Sequence, residues 1–279
     1  MNHDFLSRII DRKKEEVTNA CRAVPEQVLL EKAQNRSDRR PFFKKLAAPG
    51  AFGANIIAEI KRASPSRGEI RIDLDAEQLA RSYEKAGAAA ISVLTDQAFF
   101  RARSTDLQTV KQAVTLPVLR KDFVISTYQV YETAAMGADA VLLIVRALSR
   151  DRLKELIGLC RELQLDALVE VHSEDEMAEA TLAGARLIGI NNRDLRSFKT
   201  DLSTSMRLAG LLQEGQVAVA ESGIQERSQV EMLLGGGIWN FLIGESLVKA
   251  PDPEVFLKDL LGIHCRDRLP GGETAPSSR

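Results

Sequence analysis

Gly137-Ala138-Asp139-Ala140-Val141-Leu142-Leu143-Ile144 joins a glycine to a short, unbroken apolar run. Glycine after a stretch of helical period readily takes the left-handed conformation that ends a helix. An apolar run of this length, without polar alternation, fits a parallel strand covered on both faces. The pattern recurs as Gly87-Ala88-Ala89-Ala90-Ile91-Ser92-Val93-Leu94 and as Gly184-Ala185-Arg186-Leu187-Ile188-Gly189-Ile190. A looser copy is Gly237-Ile238-Trp239-Asn240-Phe241-Leu242-Ile243-Gly244. The copies are about 50 residues apart, which matches two βα units of a barrel that needs about 250 residues for eight.

Four further apolar runs lie between the copies: Asn55 to Ile60, Leu116 to Leu119, Ala167 to Val169 and Val217 to Ala220. Eight strand candidates result. The intervening segments carry helical periodicity, as in Leu79, Tyr83 and Ala86, or Leu153, Leu156, Ile157, Cys160 and Leu163. Asp75, Ser149 and Ser173 stand where helix N-caps belong. Strict alternation of strand and helix implies parallel strands with right-handed crossovers. An open doubly wound sheet satisfies the alternation too, but the count and period favour closure. The expectation is an α/β chain forming one (β/α)8 TIM barrel with an N-terminal helical extension.

Residues 1–50 carry the stripe Leu6, Ile9, Ile10, Lys13, Val17, Ala20 and Val24, and Pro25-Glu26-Gln27 opens a second helix. They are read as helices packed on a barrel spanning residues 51–262. Residues 263–279, rich in Pro, Gly, Ser and charge, are read as a flexible tail. Hydrophobic residues make up 44% of the chain, enough for a large core, and the formal charge of −1 gives no case for nucleic acid or an anionic membrane. No membrane span and no secretory signal are legible. Cys21, Cys160 and Cys265 suggest neither disulfides nor a zinc site. A cytoplasmic protein, monomeric or weakly dimeric, is expected.

Residues two apart on a strand face the same side, so Glu59 and Lys61 share a face at the end of the first strand. Lys121, Glu170, Asn191 and Glu221 end other strands at the same relative height. Any one of them alone reads best as a loop residue or a solvated ion pair. Six on five strands are harder to explain by stability, because desolvation commonly offsets the attraction in a buried pair. In a barrel they converge on the C-terminal face, where active sites of this fold lie. Gly223 and Gly244, after the last two strands, allow backbone N–H groups close to an anion, and barrels often bind phosphate there. Phe123 is expected to wall the pocket together with Phe99 and Phe100, for which loop packing is an equal reading. His172 is placed at the rim, with a structural role an equal reading, and His3 and His264 are terminal. No metal-ligand spacing or nucleotide-binding loop is present, so neither metal nor nucleotide is implied.

These residues sit in strings that resemble the indole-3-glycerol phosphate synthase family. They are Ile57-Ala58-Glu59-Ile60-Lys61-Arg62-Ala63-Ser64-Pro65-Ser66, Leu94-Thr95-Asp96, Val118-Leu119-Arg120-Lys121-Asp122-Phe123, Leu168-Val169-Glu170-Val171-His172, Ile188-Gly189-Ile190-Asn191-Asn192-Arg193-Asp194-Leu195, Ala220-Glu221-Ser222-Gly223-Ile224 and Ile243-Gly244-Glu245-Ser246-Leu247. The resemblance runs from about Leu6 to Leu261. It implies a cofactor-free ring closure of 1-(2-carboxyphenylamino)-1-deoxyribulose 5-phosphate to indole-3-glycerol phosphate, CO₂ and water, in tryptophan biosynthesis. By resemblance Lys121 is the general acid, Lys61 holds substrate and protonates the departing hydroxyl, and Glu59 and Glu170 form the proton-transfer pair. Asn191 and Glu221 act with them. Ser64, Phe123, Arg193, Ser222, Gly223, Gly244 and Glu245 are the substrate- and phosphate-binding set.

A lysine remains a weak acid near neutrality unless desolvation or neighbouring cations lower its pKa. Lys61 beside Lys121 pulls in that direction, and Glu59 with Glu170 pulls the other way; the sequence leaves the balance open. Two departures from the family pattern stand out. Gly235-Gly236-Gly237-Ile238-Trp239-Asn240 is unusually glycine-rich and holds the one Trp, and no second, fused barrel follows, so a monofunctional protein is expected. Two alternatives stay open: another lysine-dependent phosphosugar barrel, such as an aldolase or thiazole synthase working through a Schiff base, and a non-catalytic phosphate-ligand barrel.

Overall fold

The computed structural model describes residues 5–65, 68–194 and 197–263. Expectations for Met1 to Asp4, Ser66, Leu195, His264, Cys265 and the tail fall outside them, apart from Ile263. Eight parallel strands close into a barrel: β1 (Asn55–Ile60), β2 (Ala90–Leu94), β3 (Val118–Lys121), β4 (Ala140–Ile144), β5 (Asp166–Val171), β6 (Leu187–Asn191), β7 (Val217–Glu221) and β8 (Asn240–Ile243). Each pairs with the next, and β8 pairs with β1. The TIM barrel is therefore the fold. Two of the expected runs shift: β3 starts after Pro117, which has no N–H for a ladder, and β5 extends to Asp166 and Val171 because side chains inside a barrel need not be apolar at its ends.

Two layers of core hold the barrel. Ile56, Ile91, Val93, Val141, Val169, Ile188 and Phe241 face outward against the helices. Ile57, Ala90, Leu119, Leu142, Leu168, Leu187, Val219 and Leu242 fill the interior. The expected caps are present: Asp75, Ser149 and Ser173 each accept a backbone N–H from the first turn of their helix. Gly87, Gly137, Gly184 and Gly237 all have positive φ, as the repeat requires.

The N-terminal segment runs from one end of the barrel to the other. Helix α1 (Phe5–Ala23) buries Leu6, Ile9 and Lys13 over the C-terminal mouth, while Val24 is exposed. Lys13 belongs to the stripe for electrostatic rather than apolar reasons: its Nζ lies 2.9 Å from both Asp96 and Asp122, on the loops after β2 and β3. Helix α2 (Glu26–Gln34) descends along the helix Thr127–Ala135. At the bottom, Arg36 and Arg40 bind Asp139 and the carbonyls of Gly137 and Leu116, just before β4 and β3. Helix α3 (Phe42–Leu46) then plugs the N-terminal mouth, with Phe42 and Leu46 fully buried as part of the barrel's interior core. Trp239 and Asn240 both donate to the Leu46 carbonyl, so the glycine-rich stretch delivers an anchor for this plug. No helix of the described residues is long and apolar enough to cross a membrane.

Candidate active site

Interior positions nearest the C-terminal mouth carry the charge. Glu59, Lys121, Glu170, Asn191 and Glu221 project inward from β1, β3, β5, β6 and β7, and Lys61 follows β1 by one residue. Lys121 Nζ lies 2.7 Å from Glu221, 3.7 Å from Glu59 and 3.7 Å from Glu170. Lys61 Nζ lies 2.7 Å from Glu59, and Asn191 Nδ2 donates to Glu170 at 3.2 Å. All six anticipated residues thus meet in one cluster.

Two glycines make the cluster possible. A methyl group at Gly189, in β6, would overlap Oε1 of Glu221, and one at Gly244 would overlap Oε1 of Glu59. Gly189 is a legible signal, since glycine inside a strand often marks close approach of another group. Asn192 is a second positioning residue outside the expected set. Its Nδ2 donates to the carbonyls of Glu221 and Ser222, while Ser205 donates to its Oδ1.

Burial disfavours the Lys121 ammonium, but Glu221, Glu59 and Glu170 together outweigh it and hold its pKa far above the usual lysine value. The balance left open by the sequence falls to the carboxylates. Burial would raise Glu59, yet Lys61 and Lys121 bring it below the ordinary glutamate range. Glu221 goes the other way: burial raises it, Lys121 only partly opposes, and Glu170 and Glu59 add repulsion. Three carboxylates share two ammonium groups, and the one least supported as an anion is Glu221, whose buried Oε1 has no hydrogen-bond partner.

A cavity of about 820 Å³ rises above this cluster. Phe5, Leu6 and Ile9 of α1, Leu94, Phe100, Phe123 and Ile144 give it apolar walls. Phe100 and Phe123 pack with ring centroids 6.1 Å apart. Phe99 does not join them: it turns away from the cavity and meets Phe5 edge-on at 5.6 Å. Ser64, Arg193, Ser222, Gly223, Gly244 and Glu245 also line the cavity, with Lys199 and Lys249 in addition. Ser222 and Gly223 are consecutive left-handed residues, a sharp turn that only Gly223 takes without steric cost. Glu245 is bracketed by Arg193 at 3.6 Å and Lys249 at 2.8 Å. No group of three His, Cys, Asp or Glu side chains among the described residues is arranged to hold a metal ion.

The family model for indole-3-glycerol phosphate synthase matches residues 6–260. The chain belongs to this family. It is 56% identical over 261 residues to the indole-3-glycerol phosphate synthase of Syntrophobacter fumaroxidans, covering 94% of this chain and 98% of that protein. It is 55% identical over 259 residues to that of Desulfosudis oleivorans, covering 92% and 98%. Among solved structures, 3-hexulose-6-phosphate synthase matches with a TM-score of 0.59 and 14% identity, covering 75% of this chain and 99% of that one. Thiamine phosphate pyrophosphorylase from Pyrococcus furiosus matches at 0.58 and 17%, covering 75% and 95%. These two likenesses concern the barrel alone.

Beside the site of this member of the indole-3-glycerol phosphate synthase family, the sequence leaves two readings for His172, the rim and a structural role. His172 is not on the rim; its side chain is buried directly behind Glu170, with Nε2 3.4 Å from Glu170 Oε1 and Nδ1 3.1 Å from Glu176. It does not line the cavity.

Proposed function

We propose that the protein is an indole-3-glycerol phosphate synthase, closing the ring of 1-(2-carboxyphenylamino)-1-deoxyribulose 5-phosphate in tryptophan biosynthesis. The observation that carries the reading is an ammonium, Lys121, fixed among three carboxylates at the floor of an apolar-walled cavity. The aryl ring fits against Phe100 and Phe123, and the phosphate against the mouth built by Ser64, Arg193, Ser222, Gly223, Gly244 and the backbone of Glu245, with Lys199 and Lys249 supplying further positive charge.

In that pose the ring carbon bearing the carboxylate attacks the ketone carbon. The carbonyl π electrons move to oxygen, which takes a proton from Lys121. An ammonium aimed at developing alkoxide charge is the most effective single contribution available here. The carboxylate then leaves as CO₂, and its bonding pair restores the aromatic ring. The new hydroxyl departs as water with a proton from Lys61, while a carboxylate takes the proton released from the adjacent carbon. Glu170 suits this last task better than Glu59, whose basicity is depressed by Lys61 and Lys121. Asn191 orients Glu170, and Glu221 keeps Lys121 in place.

A Schiff-base enzyme is the poorer fit, because a lysine held firmly protonated is not a nucleophile. A pure binding barrel has no use for this density of buried acids and bases. The test is to give the purified protein the carboxyphenylamino deoxyribulose phosphate, without added metal or cofactor, and follow indole absorbance. Absence of product, or trapping of a lysine adduct by borohydride, would reject the proposal.

A further inference from the structure

Ring closure with loss of CO₂ and water has a proton deficit, and the role of His172 inferred from it rests on the proposed synthase activity. The ketone oxygen takes up two protons to leave as water. Only one is returned, from the carbon–hydrogen bond broken during dehydration. The substrate carboxylate departs as neutral CO₂, so each turnover consumes one proton from solvent. The reacting groups lie beneath α1 on the floor of the cavity, with Glu59, Glu170 and Glu221 all buried. Lys121 and Lys61 supply the two protons, the broken carbon–hydrogen bond returns one, and the other must be replaced before the next turnover.

We propose that His172 stores this proton as an imidazolium and delivers it to Glu170. The geometry has three parts. His172 follows β5 by one residue, and its buried Nε2, which makes no hydrogen bond among the described residues, lies 3.4 Å from Oε1 of Glu170, within ion-pair distance. Its Nδ1 lies 3.1 Å from Oε2 of Glu176, an oxygen that also accepts the His172 backbone N–H at 2.8 Å. Arg146, after β4, fixes the other Glu176 oxygen at 2.7 Å. From β6, the neutral Asn191 amide completes the surroundings of Glu170. The ring is thus clamped between two carboxylates, one in the cavity and one at its outer edge.

The charges facing the ring favour its protonated form. Burial opposes the imidazolium, but Glu176 and Glu170 outweigh both burial and Arg146, so its pKa stands above the ordinary histidine value. In the transfer, the Nε2–H bond breaks and an O–H bond forms on Glu170. The neutral ring keeps Nδ1–H donated to Glu176. Glu170 is 3.7 Å from Lys121 and can restore the proton that Lys121 gave to the ketone oxygen. Solvent recharges the imidazole after product leaves. His172 does not touch substrate; it is a positioning residue that acts through Glu170.

The experiment is steady-state indole formation at saturating substrate across pH in wild type, His172→Gln and Glu176→Gln, with melting curves to establish folding. Wild type should lose rate as the imidazolium titrates on the alkaline side. His172→Gln should turn over at least ~10-fold more slowly, short of the ~10²–10⁴-fold of a group acting directly on substrate, and should lack that limb. Glu176→Gln should retain the limb but move it to lower pH, since the charge holding the imidazolium is gone. A folded His172→Gln that matches the wild-type rate, or keeps the alkaline limb, overturns the proposal. So does a Glu176→Gln limb that stays in place, which decides the matter even if His172→Gln fails to fold. If wild type itself makes no indole product, the functional reading falls rather than the role of His172 alone.

Discussion

Lys121 and Glu221 stand on strands opposite each other in the barrel, β3 and β7, and their side chains meet at 2.7 Å across its interior. The pair ties together the two halves of the closed sheet at the height where chemistry takes place.

Replacing Lys121 by Ala should therefore have two separable effects. Turnover falls by at least ~10²-fold, because the acid for the ketone oxygen is gone. The protein remains folded but melts lower, since three buried carboxylates lose their shared cation. The loss of melting temperature is smaller at pH 5 than at pH 8, where protonation no longer relieves the repulsion. Steady-state kinetics and calorimetry at both pH values check this; near-normal turnover removes Lys121 from the mechanism.

Glu221→Gln is expected to be inactive or nearly so and yet more stable than wild type above neutrality. The folded-state pKa of Glu221 is raised, so the folded protein binds its proton more tightly than the unfolded chain does. Wild-type stability consequently falls as pH rises from the unfolded glutamate value through the folded one. Glutamine keeps a hydrogen-bond acceptor for Lys121 and does not titrate. Urea unfolding should show an advantage on the order of 1–3 kcal/mol at pH 8 that vanishes near pH 4.5. An advantage independent of pH would contradict the assigned shift.

Gly189→Ala tests the same carboxylate from beneath. The added methyl overlaps Glu221 Oε1 and leaves no room for the ion pair as built. Activity should drop by ~10-fold or more, with a stability cost of about 1–3 kcal/mol from overpacking. Wild-type activity would mean that Glu221 has freedom its packing does not suggest.

The ion cluster under α1 predicts an acid limb of stability. Burial opposes the Asp122 carboxylate, but Arg120 and Lys13 draw its pKa down to about 2. A depressed carboxylate contributes stability that is present above its unfolded value and lost as pH falls through the folded one. Asp122→Asn should cost about 2 kcal/mol at pH 7, with the difference closing between about pH 4 and pH 2. Lys13→Met should be costlier, about 3–5 kcal/mol, because it strands the buried Asp96 and leaves Asp122 with the Arg120 cation alone.

Much of the barrel and its charged floor is legible in the amino-acid sequence. The glycine-led runs at 87, 137, 184 and 237 announce the barrel because helix end and strand start are both local events. The inward charges can be read because a two-residue period on a strand carries Glu59 and Lys61, or Leu119 and Lys121, to one side. What escapes depends on packing between distant segments. Lys13 looks like one more member of a helical stripe, and its partners lie 83 and 109 positions away. Phe99 and Phe100 are neighbours in sequence, yet only the second reaches the cavity, since consecutive helical side chains diverge. His172 continues the alternation that places Glu170 inward, but the strand has ended by then and the ring turns back against Glu176.

The strap formed by residues 5–46 touches both ends of the barrel, and its lower end is gripped by Trp239 and Asn240, close to the final strand. During synthesis the plug helix is made nearly two hundred residues before its receptor exists. It must wait, exposed, until β8 arrives to close the ring beside β1. Docking of the segment translated earliest is thereby tied to the completion of the sheet, and Phe42 entering its socket becomes a natural reporter for the last stage of folding.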